Sequence, residues 1–127
     1  MKQLLFAIAL LTGIPAIGQE QSTLLTSTNM ENISYPFPVS YIHLHIQGEP
    51  LQMAFMDVRP LKPNGKTVML LHGKNFSGAY WKKTAEDLQQ KGFRVIIPDQ
   101  VGFGKSSKPE RLQYTFQQLA TNTKAIL

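Results

Sequence analysis

The sequence predicts an α/β fold: three layers built around a mostly parallel sheet. Two apolar runs, residues 68–71 and 95–98, each lead into a glycine-containing loop, and a helical pattern separates them. Continuous apolar runs suit strands that helices cover on both faces. Ligands of such sheets bind beyond the carboxyl ends of the strands. We therefore expect the functional site at the loops that follow these two strands.

Residues 1–18 are predicted to be a secretory signal peptide. Lys2 supplies a positive charge, residues 4–11 form an apolar stretch too short to span a bilayer, and Gly18 ends the small residues of a cleavage site. An uncleaved anchor is the alternative. The signal predicts a secreted or periplasmic protein that has no membrane association after cleavage.

Composition narrows the class of protein. The chain is 43% hydrophobic and 17% charged, as expected for a globular protein, and it has no cysteine for disulfides. Its net charge of +5 comes from scattered residues, of which Lys82 and Lys83 are the only adjacent pair. Nucleic-acid binding needs a clustered basic surface, so no nucleic-acid partner is predicted. The sequence leaves the oligomeric state open.

The first half of the chain predicts a hairpin after a polar segment. Residues 19–38 are a polar lead-in that we expect to be extended, because its prolines disfavour a helix. Residues 39–46 alternate as a strand does, 47–50 form a turn, and 51–58 form a second strand. A loop over 59–66 follows.

A strand, a helix and a second strand are predicted next. The third strand covers residues 67–71, and the helix covers 80–91 and ends at Gly92, where a left-handed residue is favoured. The fourth strand covers 93–98. One face of the helix carries Trp81, Ala85 and Leu88.

The chain ends in a predicted helix that no strand follows. After a loop over 99–113, Thr115 can cap a helix that continues to Leu127 without a glycine or proline to end it. Four strands with unpaired edges make a poorly covered sheet. We therefore expect residues 39–127 to be the N-terminal part of an incomplete domain.

Two sequence blocks carry a family resemblance. They are residues 70–75 (LLHGKN) and 98–106 (PDQVGFGKS), with Trp81 and residues 92–96 between them. The pattern resembles the N-terminal half of the α/β-hydrolases over residues 41–127. It is most similar to the branch that holds epoxide hydrolases, haloalkane dehalogenases, prolyl aminopeptidases and carbon–carbon bond hydrolases.

The resemblance implies that the first loop contributes to an oxyanion hole. The backbone N–H of Lys74, just after the His-Gly pair, would be one donor, and the N–H after the nucleophile would be the other. Losing such a donor costs about 3 kcal/mol. Gly73 would permit a tight turn and close backbone approach. His72 is expected to tie the loop by hydrogen bonds, and Asn75 either points its amide into the pocket or stabilises the loop.

The second loop is expected to be structural. The resemblance implies that Asp99 orders the loop rather than serving as a catalytic acid, and that its small residues form turns rather than bind phosphate. These residues are Gly102, Gly104 and Ser106. Phe76 and Trp81 are expected to be packing groups.

Two further motifs could indicate a cofactor or a metal site, but each lacks a residue that such a site needs. Gly104, Lys105 and Ser106 imitate the end of a phosphate-binding loop, but Asp99 stands where that loop needs its first glycine. His43 and His45 share a strand face, but no third ligand accompanies them. We therefore predict neither a cofactor nor a metal.

The chain lacks the nucleophile that the resemblance requires. The family places it on a G-x-S-x-G elbow after strand five, with the acid and histidine later, and no such motif occurs here. We expect an exported hydrolase fragment, inactive alone, whose complete form acts on an ester, amide or related small molecule through a covalent intermediate. The alternative is a non-enzymatic, truncated or degenerate relic with at most binding ability. The substrate, the choice between a Ser and an Asp nucleophile, and the cap domain stay open.

Overall fold

The computed structural model describes residues 27–127, so the predicted signal peptide lies outside the described residues. The strands are β1 (Val39–Ile46), β2 (Glu49–Val58), β3 (Thr67–Met69) and β4 (Arg94–Pro98). The α-helices are α1 (Lys82–Gln90), which follows a 3₁₀ turn over Gly78–Trp81, and α2 (Phe116–Lys124). The four strands form one sheet in the order β1-β2-β4-β3, which confirms the predicted α/β fold.

The predicted hairpin is present. β1 and β2 pair antiparallel, and the register ends with Ile46 opposite Glu49. Gln47 and Gly48 between them both have positive φ, at 51° and 86°. Two-residue turns of this kind match the twist of paired strands, which is why they favour hairpins.

β4 lies between two strands that differ in direction. It pairs antiparallel with β2, where Phe55 lies opposite Pro98, and parallel with β3, where Val68 lies opposite Val95. The described strands therefore include one parallel pair, the one joined by α1 as the sequence predicts. β3 ends two residues earlier than predicted, although the Leu70 N–H still donates to the Ile96 carbonyl at 2.9 Å.

Gly92 ends α1 in the expected left-handed conformation, with φ of 87°. Its N–H donates to the Gln89 carbonyl at 3.0 Å, and the Phe93 N–H donates to the Leu88 carbonyl at 3.1 Å. This pair of bonds satisfies carbonyls that the helix end leaves free. A Cβ at Gly92 would lie 2.8 Å from the Lys62 carbonyl oxygen, so no other residue fits without a shift.

Alternate residues of β2 divide the core between the two faces of the sheet. Met56 and Val58 belong to one buried cluster, which includes Ala85 of α1. Leu51 and Met53 belong to the other, against which Ile126, just after α2, packs. Side chains therefore pack on both faces of the sheet, with α1 against one face and Ile126 against the other.

The lead-in differs from its prediction. In place of an extended segment, residues 27–38 begin with two turns, closed by Met30 N–H to the Ser27 carbonyl at 2.9 Å and Ile33 N–H to the Met30 carbonyl at 3.0 Å. The Ser27 hydroxyl also accepts from the Glu31 N–H at 2.7 Å. Such side-chain bonds to nearby backbone favour turns over extended chain. Further on, Phe37 packs against the buried cluster of α1.

The last helix begins as predicted, because the Thr115 hydroxyl accepts from the Gln118 N–H at 3.1 Å. No helix among residues 27–127 is long and apolar enough to cross a membrane.

Candidate active-site loops

The loop after β3 presents a free backbone donor. The Phe76 N–H donates to the Gly73 carbonyl at 3.2 Å, which closes a turn around Lys74 and Asn75. Lys74 is exposed, and its N–H donates to no group among the described residues. A fixed N–H at the end of a strand has the geometry that an oxyanion hole needs. The catalytic role of this N–H stays a prediction.

His72 joins the two loops. Its Nε2 accepts from the Gln100 N–H at 3.0 Å, and its Nδ1 lies 2.9 Å from the Gly73 carbonyl oxygen. Both contacts are satisfied when Nδ1 carries the proton and Nε2 is the acceptor. The ring also meets Phe103 edge-on, with centroids 5.5 Å apart. Both ring nitrogens are thus occupied by backbone groups.

The residue with a left-handed backbone conformation in this turn is Asn75 rather than Gly73. Asn75 has φ of 68°, a left-handed conformation that asparagine tolerates better than most residues. Gly73 has no positive φ, and a Cβ there would meet only the Phe76 ring, at 3.9 Å. The described residues therefore do not account for a glycine at position 73.

Asp99 binds three separate segments of the chain. Its carboxylate accepts from the Tyr35 hydroxyl at 2.6 Å, the Gly78 N–H at 2.5 Å and the Lys105 N–H at 2.7 Å. Asp99 is 1% exposed. The carboxylate therefore holds the lead-in, the start of the 3₁₀ turn and the second loop together, and a substrate has no access to it.

The small residues of the second loop fit into confined positions around Asp99 and Tyr114. Ser106 is fully buried; its hydroxyl donates to the Asp99 carbonyl at 2.6 Å and accepts from the Ala54 N–H at 2.8 Å. Gly104 has φ of 51°, and a Cβ there would lie 2.0 Å from Asp99 Oδ2. Gly102 has φ of 95°.

The same loop has few donors left for a phosphate. The Gly102 N–H donates to the Ser107 carbonyl at 2.8 Å, and the Ser106 N–H donates to the Phe103 carbonyl at 3.0 Å. The Lys105 N–H is taken by Asp99. The N–H groups of Gly102, Lys105 and Ser106 thus bind groups of the protein itself.

A cleft of about 490 Å³ opens between the two loops. Phe76 and Tyr80 form one wall with rings 5.4 Å apart, and they are 56% and 67% exposed. Phe76 thus packs against Tyr80 on the cleft wall, and whether it contacts a substrate stays a prediction, whereas Trp81 packs against the buried cluster of α1. The full lining is Met30, Asn75, Phe76, Ser77, Tyr80, Gly102, Phe103, Gly104 and Lys108.

Met30, Tyr80 and Lys108 were missed by sequence reasoning. Burial lowers the pKa of the Lys108 amine, whose Nζ donates to the Gly104 carbonyl at 2.6 Å. Burial, followed by the hydrogen bond to Asp99, raises the pKa of Tyr35. Met30 and Tyr35 belong to the lead-in, and only the folding of the lead-in against the second loop brings them to this site.

A second cleft, of about 480 Å³ and with a largely apolar surface, is lined in part by His72. It includes Leu71, Phe116 and Leu127, which are 51%, 88% and 76% exposed. β3 forms the neighbouring edge of the sheet, and within the described part of the chain it pairs only with β4.

The strand histidines form no metal site with other described residues. His43 and His45 are exposed, opposite Gln52 and Pro50 of β2. No group of three His, Cys, Asp or Glu side chains among residues 27–127 could hold a metal ion.

Residues 66–126 match the family model described as the alpha/beta hydrolase fold. The chain belongs to the α/β-hydrolase superfamily. Similar curated proteins include a haloalkane dehalogenase from Mycolicibacterium paratuberculosis, 33% identical over 94 residues, which are 72% of this chain and 31% of the relative. A haloalkane dehalogenase from Mycobacterium marinum is 34% identical over 86 residues, 66% of this chain and 28% of the relative.

Solved structures agree with this assignment to the α/β-hydrolases. A probable hydrolytic enzyme from Pseudomonas aeruginosa PAO1 is 52% identical with a TM-score of 0.76, over 78% of this chain and 32% of that one. A tetrameric haloalkane dehalogenase from Paraglaciecola agarilytica NO2 is 26% identical with a TM-score of 0.65, over 77% of this chain and 33% of that one. This α/β-hydrolase chain thus spans about a third of the length of the proteins it matches.

Proposed function

We propose that this chain is the N-terminal portion of an exported hydrolase that acts on an ester, amide or related small molecule through a covalent intermediate. The nucleophile, acid and general-base histidine would come from sequence beyond residue 127. The similarity to haloalkane dehalogenases and to a probable hydrolytic enzyme supports hydrolysis as the reaction. No cofactor is needed for such a reaction.

The observation that carries the proposal is the free N–H of Lys74. It lies in an exposed loop at the end of a parallel strand, and His72 fixes this loop to the next one through the Gln100 N–H. A donor held in this way opposes charge on a carbonyl oxygen without having to reorganise during the reaction. The second donor would follow the nucleophile.

The exposed edge of β3 supports a contribution from further sequence. Leu71 lies beside this edge, and Phe116 continues the apolar surface on α2. A large exposed apolar surface next to an unpaired strand favours the addition of another strand. A strand added there parallel to β3 would bring the loop that follows it next to Lys74.

Replacing Lys74 by proline tests the oxyanion assignment in the full-length enzyme. Proline removes the N–H, and we expect kcat/KM for p-nitrophenyl acetate to fall by about 100-fold or more. Lys74→Ala is the matched control, because it removes the side chain and keeps the N–H, so its kcat/KM should stay within about threefold of the wild type. Equal activity of the two variants would refute the assignment.

The coding sequence after Leu127 tests the remainder of the proposal. A strand followed by G-x-S-x-G would favour acyl chemistry, and an Asp at the elbow would favour epoxide or halide chemistry. A stop codon directly after Leu127 would instead support the non-enzymatic relic. Export is tested by the intact mass of the mature protein, because a protein that retains residues 1–18 would contradict the signal peptide.

A further inference from the structure

Met30 has a backbone conformation that its side chain does not favour. Its φ is 54°, in the left-handed region that glycine and asparagine adopt most readily. Three hydrogen bonds hold it there. They are its own N–H to the Ser27 carbonyl at 2.9 Å, and its carbonyl accepting from the Ile33 N–H at 3.0 Å and from Lys105 Nζ at 2.7 Å.

The lead-in is attached to the second loop beside this residue. Lys105 Nζ, which binds the Met30 carbonyl, lies 5.0 Å from the centre of the Tyr35 ring, and the Tyr35 hydroxyl binds Asp99. These contacts fix residues 30–35 against the loop that borders the cleft. Strained residues that the surrounding structure holds in place are concentrated at binding sites.

The position of Met30 gives the cleft an apolar character. Met30 lines it together with the aromatic residues Phe76, Tyr80 and Phe103. A methionine side chain adapts its shape to apolar groups and interacts favourably with aromatic rings. The nearby cation is not free, because Lys108 Nζ donates to the carbonyls of Gly104 at 2.6 Å and Ser106 at 3.2 Å.

We propose that Met30 is a specificity-determining residue, which forms one wall of a subsite for the uncharged aryl or alkyl group of a carbonyl substrate. Asn75, which lines the cleft, follows Lys74, the proposed oxyanion donor, directly in the chain. A carbonyl bound at Lys74 can therefore place its apolar substituent against Met30. This inference rests on the proposed function for the position of the carbonyl, but the apolar subsite can be measured without catalysis.

The test uses acetophenone and hexanophenone, two ketones that are not hydrolysed and differ in alkyl chain length. Their dissociation constants are measured on the full-length protein by NMR of ¹³C-methyl-labelled methionine, with the Met30 signal assigned by its loss in Met30→Ala. We expect hexanophenone to bind at least tenfold more tightly, since each buried methylene adds to the affinity, and to shift the Met30 signal. The signals of the fully buried Met53 and Met56 should not move.

Variants of the lead-in then identify the side chain responsible. Met30→Ala should weaken hexanophenone binding at least fivefold and acetophenone binding by less, whereas Met30→Leu should stay within about twofold. Ile33→Ala is the matched control, because Ile33 belongs to the same segment, is 36% exposed and does not line the cleft. Its ketone affinities should equal those of the wild type.

Met30→Gly separates binding from folding. Glycine adopts positive φ without strain, so this variant should unfold at a higher temperature than the wild type and still bind hexanophenone more weakly. Unchanged hexanophenone affinity in Met30→Ala and Met30→Gly would overturn the proposal. Ester hydrolysis together with unchanged hexanophenone affinity in these variants would refute the subsite and leave the proposed function standing. Absent hydrolysis with Met30-dependent binding would refute only the proposed function.

Discussion

The buried carboxylate of Asp99 gives the sharpest stability prediction. Asp99→Asn keeps the shape of the side chain and turns one accepting atom into a donor. With the amide oxygen at the Oδ2 position, the bonds from Tyr35 and Lys105 survive, but the Gly78 N–H faces an NH₂ group. An unpaired buried donor costs about 1–3 kcal/mol.

The surviving bonds also weaken, because hydrogen bonds to a charged acceptor are about twice as strong as neutral ones. Relief from burying a charge offsets part of the loss. We therefore expect Asp99→Asn to lower the free energy of unfolding by about 3 kcal/mol. Tyr35→Phe removes a single bond to the carboxylate and should lower it by about 1.5 kcal/mol.

Urea denaturation followed by the fluorescence of Trp81, the single tryptophan among these 127 residues, measures these changes. Tyr41→Phe is the matched control, because Tyr41 is 46% exposed on β1 and its hydroxyl binds no described residue. Its free energy of unfolding should stay within about 0.5 kcal/mol of the wild type. An Asp99→Asn protein within about 1 kcal/mol of the wild type would refute the reasoning.

The pKa of Tyr35 adds a pH test to the same variants. Because burial and the bond to Asp99 raise this pKa above its ordinary value of 10.0, the stabilisation by Tyr35 is complete below pH 10 and is lost as the pH rises further. Tyr35→Phe should therefore lose less stability than the wild type above that pH. Parallel losses in the two proteins would contradict the assignment.

Two further predictions concern the second loop and the ion pair between Asp57 of β2 and Arg94 of β4. Gly104→Ala should destabilise the protein by more than about 3 kcal/mol in urea, because the new Cβ would lie 2.0 Å from Asp99 Oδ2. Gly48→Ala is the control: it has open space around it and should cost only about 1 kcal/mol of backbone strain. Equal losses of stability in the two variants would contradict the predicted clash. The hydrogen bonds from Arg94, at 2.8 and 2.9 Å, hold the pKa of Asp57 below its ordinary value of 3.8. The stabilisation by Asp57 is therefore present above that value and lost as the pH falls below it, and Asp57→Asn should flatten the acid limb of a plot of stability against pH. An unchanged acid limb would refute this role.

Local signals in the sequence determined the elements of the fold. The hairpin, the strand–helix–strand unit, the end of α1 at Gly92 and the start of α2 at Thr115 were all predicted. Each depends on the backbone preference of one residue or on the spacing of neighbouring apolar residues. The two apolar runs of a parallel sheet also indicated which two loops lie together, because the carboxyl ends of parallel strands share one edge of the sheet.

The tertiary structure decided what surrounds those loops. Tyr35 and Asp99 are 64 residues apart in the chain, and Met30 and Lys105 are 75 apart. No periodicity or turn preference links residues so far apart, because their contact depends on how the lead-in packs against the finished sheet. For the same reason the sequence could not show that Phe76 is exposed in the cleft or that Met30 forms part of its wall. The sequence by itself determined the elements, the family and the two loops, since backbone preferences and motifs act over short distances, and only three-dimensional packing decided the lining of the cleft.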